Sequence, residues 1–251
     1  MNKNNYESQW HQATSGELIY SNQVHVWRAC LDLTEPQMES ISAILSTDEV
    51  ERAGRFRFER DKKRFMAARG ILRQILAGYL KRTPHQLRFE YTSFGKPVLA
   101  KNSDSDNICF NLSHTDVLAL YAFTLHRNVG IDIERIRNDV AVYQIAQKFF
   151  SRGEVSSLES ANKNKLHEVF FQYWTRKEAF IKAKGEGVSF PLEKVDVSLI
   201  DGKVLSPVLL PGDEKENRSW YVQDLFPCEG YVAAIAVEGD RCDLTYLHYS
   251  L

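Results

Sequence analysis

Cysteine is scarce in this sequence and what there is stands apart: Cys30, Cys109, Cys228 and Cys242 form no CxxC pair. That spacing points to neither a zinc site nor a disulfide framework, so all four are expected to be reduced, small core residues. No apolar run reaches the roughly 18 residues a membrane helix needs, and the polar start MNKNNYESQWHQ lacks the apolar core of a signal peptide. A cytoplasmic protein without a membrane partner is expected. An excess of one charge is missing too. Lysine and arginine (32) balance aspartate and glutamate (33), for a net charge of -1, which gives no global field for nucleic acid or an acidic membrane surface. What is abundant is core material: 43% hydrophobic and 12% aromatic residues over 251 positions, enough for one large domain or two smaller ones.

The first twenty or so residues are polar and are expected to fray, after which VHVWRACLDL (Val24 to Leu33) alternates like a strand. A helical block from about Ser46 to Lys81 opens on STDE, a capping box pairing Ser46 with Glu49. LRFEY, ICFNL, VLALYAFTL and VGIDIE follow as short strands. The plan then begins again. SRGEV (Ser151 to Val155) echoes the Ser-x-x-Glu-Val of Ser46 to Val50, and an aromatic helix runs from Leu166 to a stop at Gly185. KVDVSLI, SWYVQDLF, YVAAIAV and CDLTYLHY read as closing strands, with PGDEKENRS as a hairpin loop. The fold class expected is α+β: two similar α+β halves, residues 1–126 and 127–251.

Within VGIDIERI, Asp132 and Glu134 share one face of a strand while Ile131 and Ile133 take the other. Carboxylates that close repel, unless the face is wet or a cation lies between them. Both readings stand on this stretch alone. On the helix FFQYWTRKEAFIKAKG, Phe170, Trp174, Glu178 and Lys182 form one stripe at four-residue spacing. With the aromatic end in the core, Glu178 and Lys182 reach its edge or a cleft; a surface i, i+4 pair is the plainer alternative. FNLSHT (Phe110 to Thr115) gathers donors, Asn111, Ser113 and His114, that can hold phosphate oxygens, a histidinium adding charge. FGKPVLA places Lys96 after a glycine turn. The block from Arg52 to Arg73 is rich in arginine but interspersed with acids, which argues against a nucleic-acid face.

Taken together and in this order, FGKP, FNLSH, GIDIE and WTRKEAFIKAKGEG resemble the signature set of the 4'-phosphopantetheinyl transferases, specifically the large pseudo-dimeric surfactin-type group. The resemblance spans roughly Ser46 to Pro191. It implies that the phosphopantetheine arm of coenzyme A, the substrate, is transferred to a serine of an acyl or peptidyl carrier protein, releasing adenosine 3',5'-bisphosphate. It implies Mg²⁺ as cofactor, held by Asp132, Glu134 and Glu178. Lys182 is expected to stabilise charge and bind the substrate, and Glu178 is the candidate general base, directly or through a metal-bound water. Coenzyme A contacts carry over onto Ser113, His114 and Lys96. In the segment TDEVER, Glu49 stands where the family has a first phosphate-binding lysine and Arg52 where it has a second, so Arg52 is the candidate for the 3'-phosphate and Glu49 is assigned to the capping box. A monomer is implied, because the interface that other members build between subunits is internal. A metal-dependent hydrolase and an arginine-rich binding module are the competing classes.

Overall fold

The computed structural model describes residues 9–13, 17–100, 107–187, 190–198 and 219–251. The first half contains β1 (His11–Gln12), β2 (Gln23–Cys30), α1 (Glu35–Ser42), α2 (Thr47–Ala53), α3 (Glu59–Leu80), β3 (Phe89–Tyr91), β4 (Pro97–Leu99), β5 (Ile108–Thr115) and β6 (Leu118–Leu125). The second contains β7 (Val129–Arg135), α4 (Val142–Phe149), α5 (Arg152–Glu159), α6 (Leu166–Lys184), β8 (Trp220–Leu225), β9 (Tyr231–Glu238) and β10 (Asp243–His248).

One plan is used twice. Each half leads with a strand, passes through helices and returns as an antiparallel hairpin whose second strand pairs with the leading one, giving the orders β2-β6-β5 and β7-β9-β8. The helices cover the outer face of each sheet. In the first half Ile41, Ile71 and Leu72 pack over Trp27, Phe110 and Tyr121; in the second Phe170 and Phe180 pack over Val222, Val232 and Ala234. The inner faces meet in a shared core, where Val24, Val26, Leu120 and Ala122 face Ile131, Ile133, Ala233 and Ile235. The layers are thus helix, sheet, sheet, helix, with burial of apolar surface as the force joining the halves.

Both capping boxes form, and each does more than cap. Glu49, 0% exposed, accepts from the Ser46 amide and also pairs with Arg69 (2.7 Å) and Arg73 (2.6 Å) on α3. Glu154, equally buried, accepts from the Ser151 amide and pairs with Lys177 on α6 at 2.8 Å. Arg73 donates onward to the carbonyls of Pro84 and Leu87, as Lys177 does to those of Leu192 and Val195. Buried charges are tolerated only when paired and hydrogen-bonded in this way.

Several expectations are corrected. Trp10 is buried in the shared core and β1 pairs with β10, so the N-terminal stretch is not frayed throughout. The helical block breaks between Ala53 and Glu59 into α2 and α3, while α1 and α4 were not foreseen. In KVDVSLI the described residues Lys194 to Ser198 form no strand: the Val195 carbonyl is taken by Lys177 and the Val197 amide by Glu154 at 2.8 Å, so the backbone there serves the buried ion pair instead of a ladder. PGDEKENRS lies outside the described residues except for Ser219. No cysteine forms a disulfide, yet Cys30 is exposed and only Cys242 is buried. β10 crosses back to pair in parallel with β2 in the first sheet.

Removing Glu49 leaves two buried guanidinium groups without their counter-charge. Glu49→Ala is therefore expected to cost about 3–5 kcal/mol of stability, measured by urea unfolding. A cost under about 1 kcal/mol, as for exposed pairs, would refute the buried assignment.

Candidate active site

The site lies where β5, the edge of the first sheet, meets β7 and α6 of the second half. Alternation along β7 puts Val129, Ile131 and Ile133 in the shared core and turns Gly130, Asp132 and Glu134 toward α6. Gly130 decides how near the helix comes. A Cβ there would lie 2.0 Å from the Ala179 carbonyl oxygen and 2.4 Å from the Ala183 nitrogen, closer than any side chain permits. The helix backbone therefore rests directly on the strand, and Glu178 and Lys182, one turn apart, are carried over Asp132.

There the groups converge. The Lys182 ammonium donates to Asp132 Oδ1 at 2.6 Å and to Ser113 Oγ at 3.0 Å, and the Ser113 hydroxyl donates to the same Asp132 oxygen at 2.9 Å. Asp132 is 5% exposed, and its Oδ2 is buried with no hydrogen-bond partner among the described residues. Burial, then the charge of Asp132, raises Glu134 to about 7 and lifts Glu178 above the usual carboxylate range. The wet-face reading of Asp132 and Glu134 does not hold, since Asp132 is enclosed.

From this cluster a cleft of about 420 Å³ runs along the first half, lined by Ser113, His114 and Lys182 at one end and by Arg52, Arg69, Phe56, Phe65 and Tyr91 toward the other. Partial enclosure in the cleft, then the positive charges of Lys182 and Arg64, hold the His114 imidazole below its ordinary pKa. Arg52 lies over the rings of Phe65 and Tyr91, at 5.6 and 5.5 Å. Glu49 sits behind the cleft wall in its ion pairs. Arg69, which lines the cleft and donates to the Tyr91 hydroxyl at 3.3 Å, was not singled out from sequence; its four-residue spacing from Arg73 on one helix face was the available signal.

Two expected contacts point elsewhere. Asn111 is buried, and its Oδ1 accepts from the Ile131 amide at 2.8 Å. Lys96 is turned away from the cleft: its ammonium donates to the carbonyls of Val129 (2.9 Å) and Lys182 (2.6 Å), and burial lowers its pKa to about 8.

Family models match almost the whole of this arrangement. The 4'-phosphopantetheinyl transferase superfamily model covers residues 128–236, and the 4'-phosphopantetheinyl transferase N-terminal model covers 30–125. The 4'-phosphopantetheinyl transferase HetI of Nostoc sp. is 38% identical over 231 residues, 92% of this chain and 94% of that one. The chain belongs to the 4'-phosphopantetheinyl transferases. Among other members, the human L-aminoadipate-semialdehyde dehydrogenase-phosphopantetheinyl transferase is 32% identical over 77% of this chain and 67% of its own. The 4'-phosphopantetheinyl transferase Sfp of Bacillus subtilis is 30% identical over 68% and 75%. Among solved structures, the holo-[acyl-carrier-protein] synthase of Thermotoga maritima overlaps 45% of this chain and 64% of its own, at 19% identity and a TM-score of 0.34, too loose a likeness to bear on the site. As in the large transferases, one chain carries both halves.

A methyl group at Gly130 must push α6 off β7. Gly130→Ala is expected to lower stability by about 1–3 kcal/mol and to reduce transfer. Thermal unfolding and activity unchanged from the parent would show that the helix does not depend on that contact.

Proposed function

We propose that this transferase moves the 4'-phosphopantetheine arm of coenzyme A onto a serine of an acyl or peptidyl carrier protein, in a Mg²⁺-dependent reaction that releases adenosine 3',5'-bisphosphate. The observation that carries the reading is the meeting of Asp132, Ser113 and Lys182 beside two further carboxylates at the head of a cationic, aromatic-lined cleft. No helix among the described residues is long and apolar enough to cross a membrane. A cytoplasmic monomer fits the reading, since the working site lies between halves 1–126 and 127–251 of one chain.

The donor set suits a hard cation. Among the described residues no three acidic, histidine or cysteine side chains stand gathered as a ready-made metal site. Yet Asp132 Oδ2 is a buried oxygen with no partner among the described residues, and burial, then the charge of Asp132, raises the pKa of both Glu134 and Glu178. Asp132, Glu134 and Glu178 are the residues that would hold Mg²⁺. When bound, the ion would supply positive charge against the diphosphate.

The nucleotide end of coenzyme A would lie toward Arg52, which can take the 3'-phosphate bidentately, with Arg69 held in place by Glu49 and Tyr91 offering a flat face to the base. Ser113, His114 and Lys182 would receive the diphosphate. The carrier serine oxygen attacks the phosphorus that bears pantetheine, forming one P–O bond as the P–O bond to the nucleotide breaks. Glu178 is the candidate acceptor of the serine proton, and Lys182 stabilises the negative charge that moves to the leaving oxygen.

Intact mass of an apo acyl or peptidyl carrier, after incubation with coenzyme A with and without chelator, tests the assignment. A Mg²⁺-dependent gain of one phosphopantetheine arm is expected. Consumption of coenzyme A with no gain on either carrier would indicate a hydrolase instead. Asp132→Ala and Glu178→Ala are expected to abolish transfer while the circular dichroism spectrum stays that of the folded protein; full activity in either removes it from the ligand set. Lys182→Ala is expected to lower kcat by on the order of 10²–10³, and a change confined to KM would contradict its role.

A further inference from the structure

The β3–β4 turn raises a question that the cleft does not answer, namely why a lysine stands between two residues that line it. Gly95 and Pro97 face the cleft. Alternation sends the residue between them the other way. The Lys96 ammonium accordingly enters the junction between the halves, 2.9 Å from the Val129 carbonyl oxygen and 2.6 Å from that of Lys182.

Among the described residues, neither carbonyl has a regular backbone partner. β7 is, among the described residues, an edge strand of its sheet, paired with β9 alone, and the outward groups of an edge strand need partners from elsewhere when they are buried. Side chains of the first half supply them: Lys96 to the Val129 carbonyl and Asn111 to the Ile131 amide. Lys182 lies in the last turn of α6, whose carbonyls no later helical amide reaches. A cation there also faces the negative end of the helix dipole.

We propose that Lys96 is a positioning residue, whose ammonium clamps the end of α6 to the start of β7 and thereby holds Lys182 and Asp132 in register, instead of binding coenzyme A. The inference rests on the reading of Asp132 and Lys182 as groups that serve the transfer. Lys182 is then fixed at both ends, its carbonyl by Lys96 and its ammonium by Asp132 and Ser113. A slip of α6 along β7 would carry the Lys182 ammonium out of reach of the reacting phosphate, and Asn111, also bridging the halves, would not prevent it because it holds only the strand.

The test compares Lys96→Met and Lys96→Arg with the parent in three readouts: steady-state kcat and KM for coenzyme A, coenzyme A binding by calorimetry, and amide hydrogen exchange over residues 129–133 and 183–187. For Lys96→Met, kcat is expected to fall by about tenfold or more, with KM and Kd for coenzyme A within about twofold and faster exchange in both segments. Lys96→Arg keeps a cation able to donate to two carbonyls and is expected to recover most of kcat. A tenfold rise in Kd with exchange unchanged would make Lys96 a substrate contact and overturn the proposal. Should the parent transfer nothing to any carrier, the functional reading fails by itself, and exchange alone decides the clamp: faster exchange in Lys96→Met sustains it, unchanged exchange removes it. If Lys96→Met is not recovered folded, Lys96→Gln, with a donor but no charge, is put through the same readouts.

Discussion

How close α6 can come to β7 governs everything at the junction. A helix normally rests on a sheet through its side chains, about a side-chain length away. Here the missing Cβ of Gly130 lets helix backbone touch strand backbone, and one turn of α6 lies against the very residues that alternate with it on β7. The short side chain of Asp132 then meets the long one of Lys182, with Ser113 completing the contact from the other half. Burial supplies the rest. Because β7 is covered by the shared core on one face and by the helix on the other, Asp132 loses water and keeps only the partners the fold gives it.

The repeated ion pairs show why the duplicated plan produces one such place and not two. Arg73 on α3 and Lys177 on α6 hold the same object, the capping glutamate of the preceding helix, and donate to the same kind of backbone turn. Aligned on that pair, the residues of α3 that answer to Glu178 and Lys182 are Gln74 and Gly78, which offer neither a carboxylate nor an ammonium. The two halves share the scaffold, while the carboxylate and the ammonium of its helix stand in one of them. The first half contributes instead the cleft wall and two donors, Ser113 and His114.

Much of this was legible from the sequence, for physical reasons that differ between elements. The faces of β7 followed from strict alternation, and the end of α6 from Gly185, which adopts a left-handed conformation at the C-cap. Both capping boxes were readable because they are local. The destinations of long side chains were not. Nothing in FGKP says that Lys96 turns inward, because its two carbonyl acceptors come from segments far along the chain. Nor could KVDVSLI reveal that its backbone is claimed by Lys177 and Glu154; its alternating valines are buried as a strand's would be, without a strand. Arg69 was missed because its four-residue spacing from Arg73 is not unique on an arginine-rich helix.

The return of β10 has a consequence for how such a chain is made and inherited. Gln23, at the start of β2, is paired with Asp243, at the start of β10, which follows every strand and helix of the second half. The place beside β2, between it and β1, therefore stays unfilled during synthesis until the strands of the second half have been made, so the first sheet is completed only after the second half exists. A recombination event that exchanged the halves at their sequence boundary would separate β2 from its neighbour β10, so a strand that follows the second half in sequence must travel with the first.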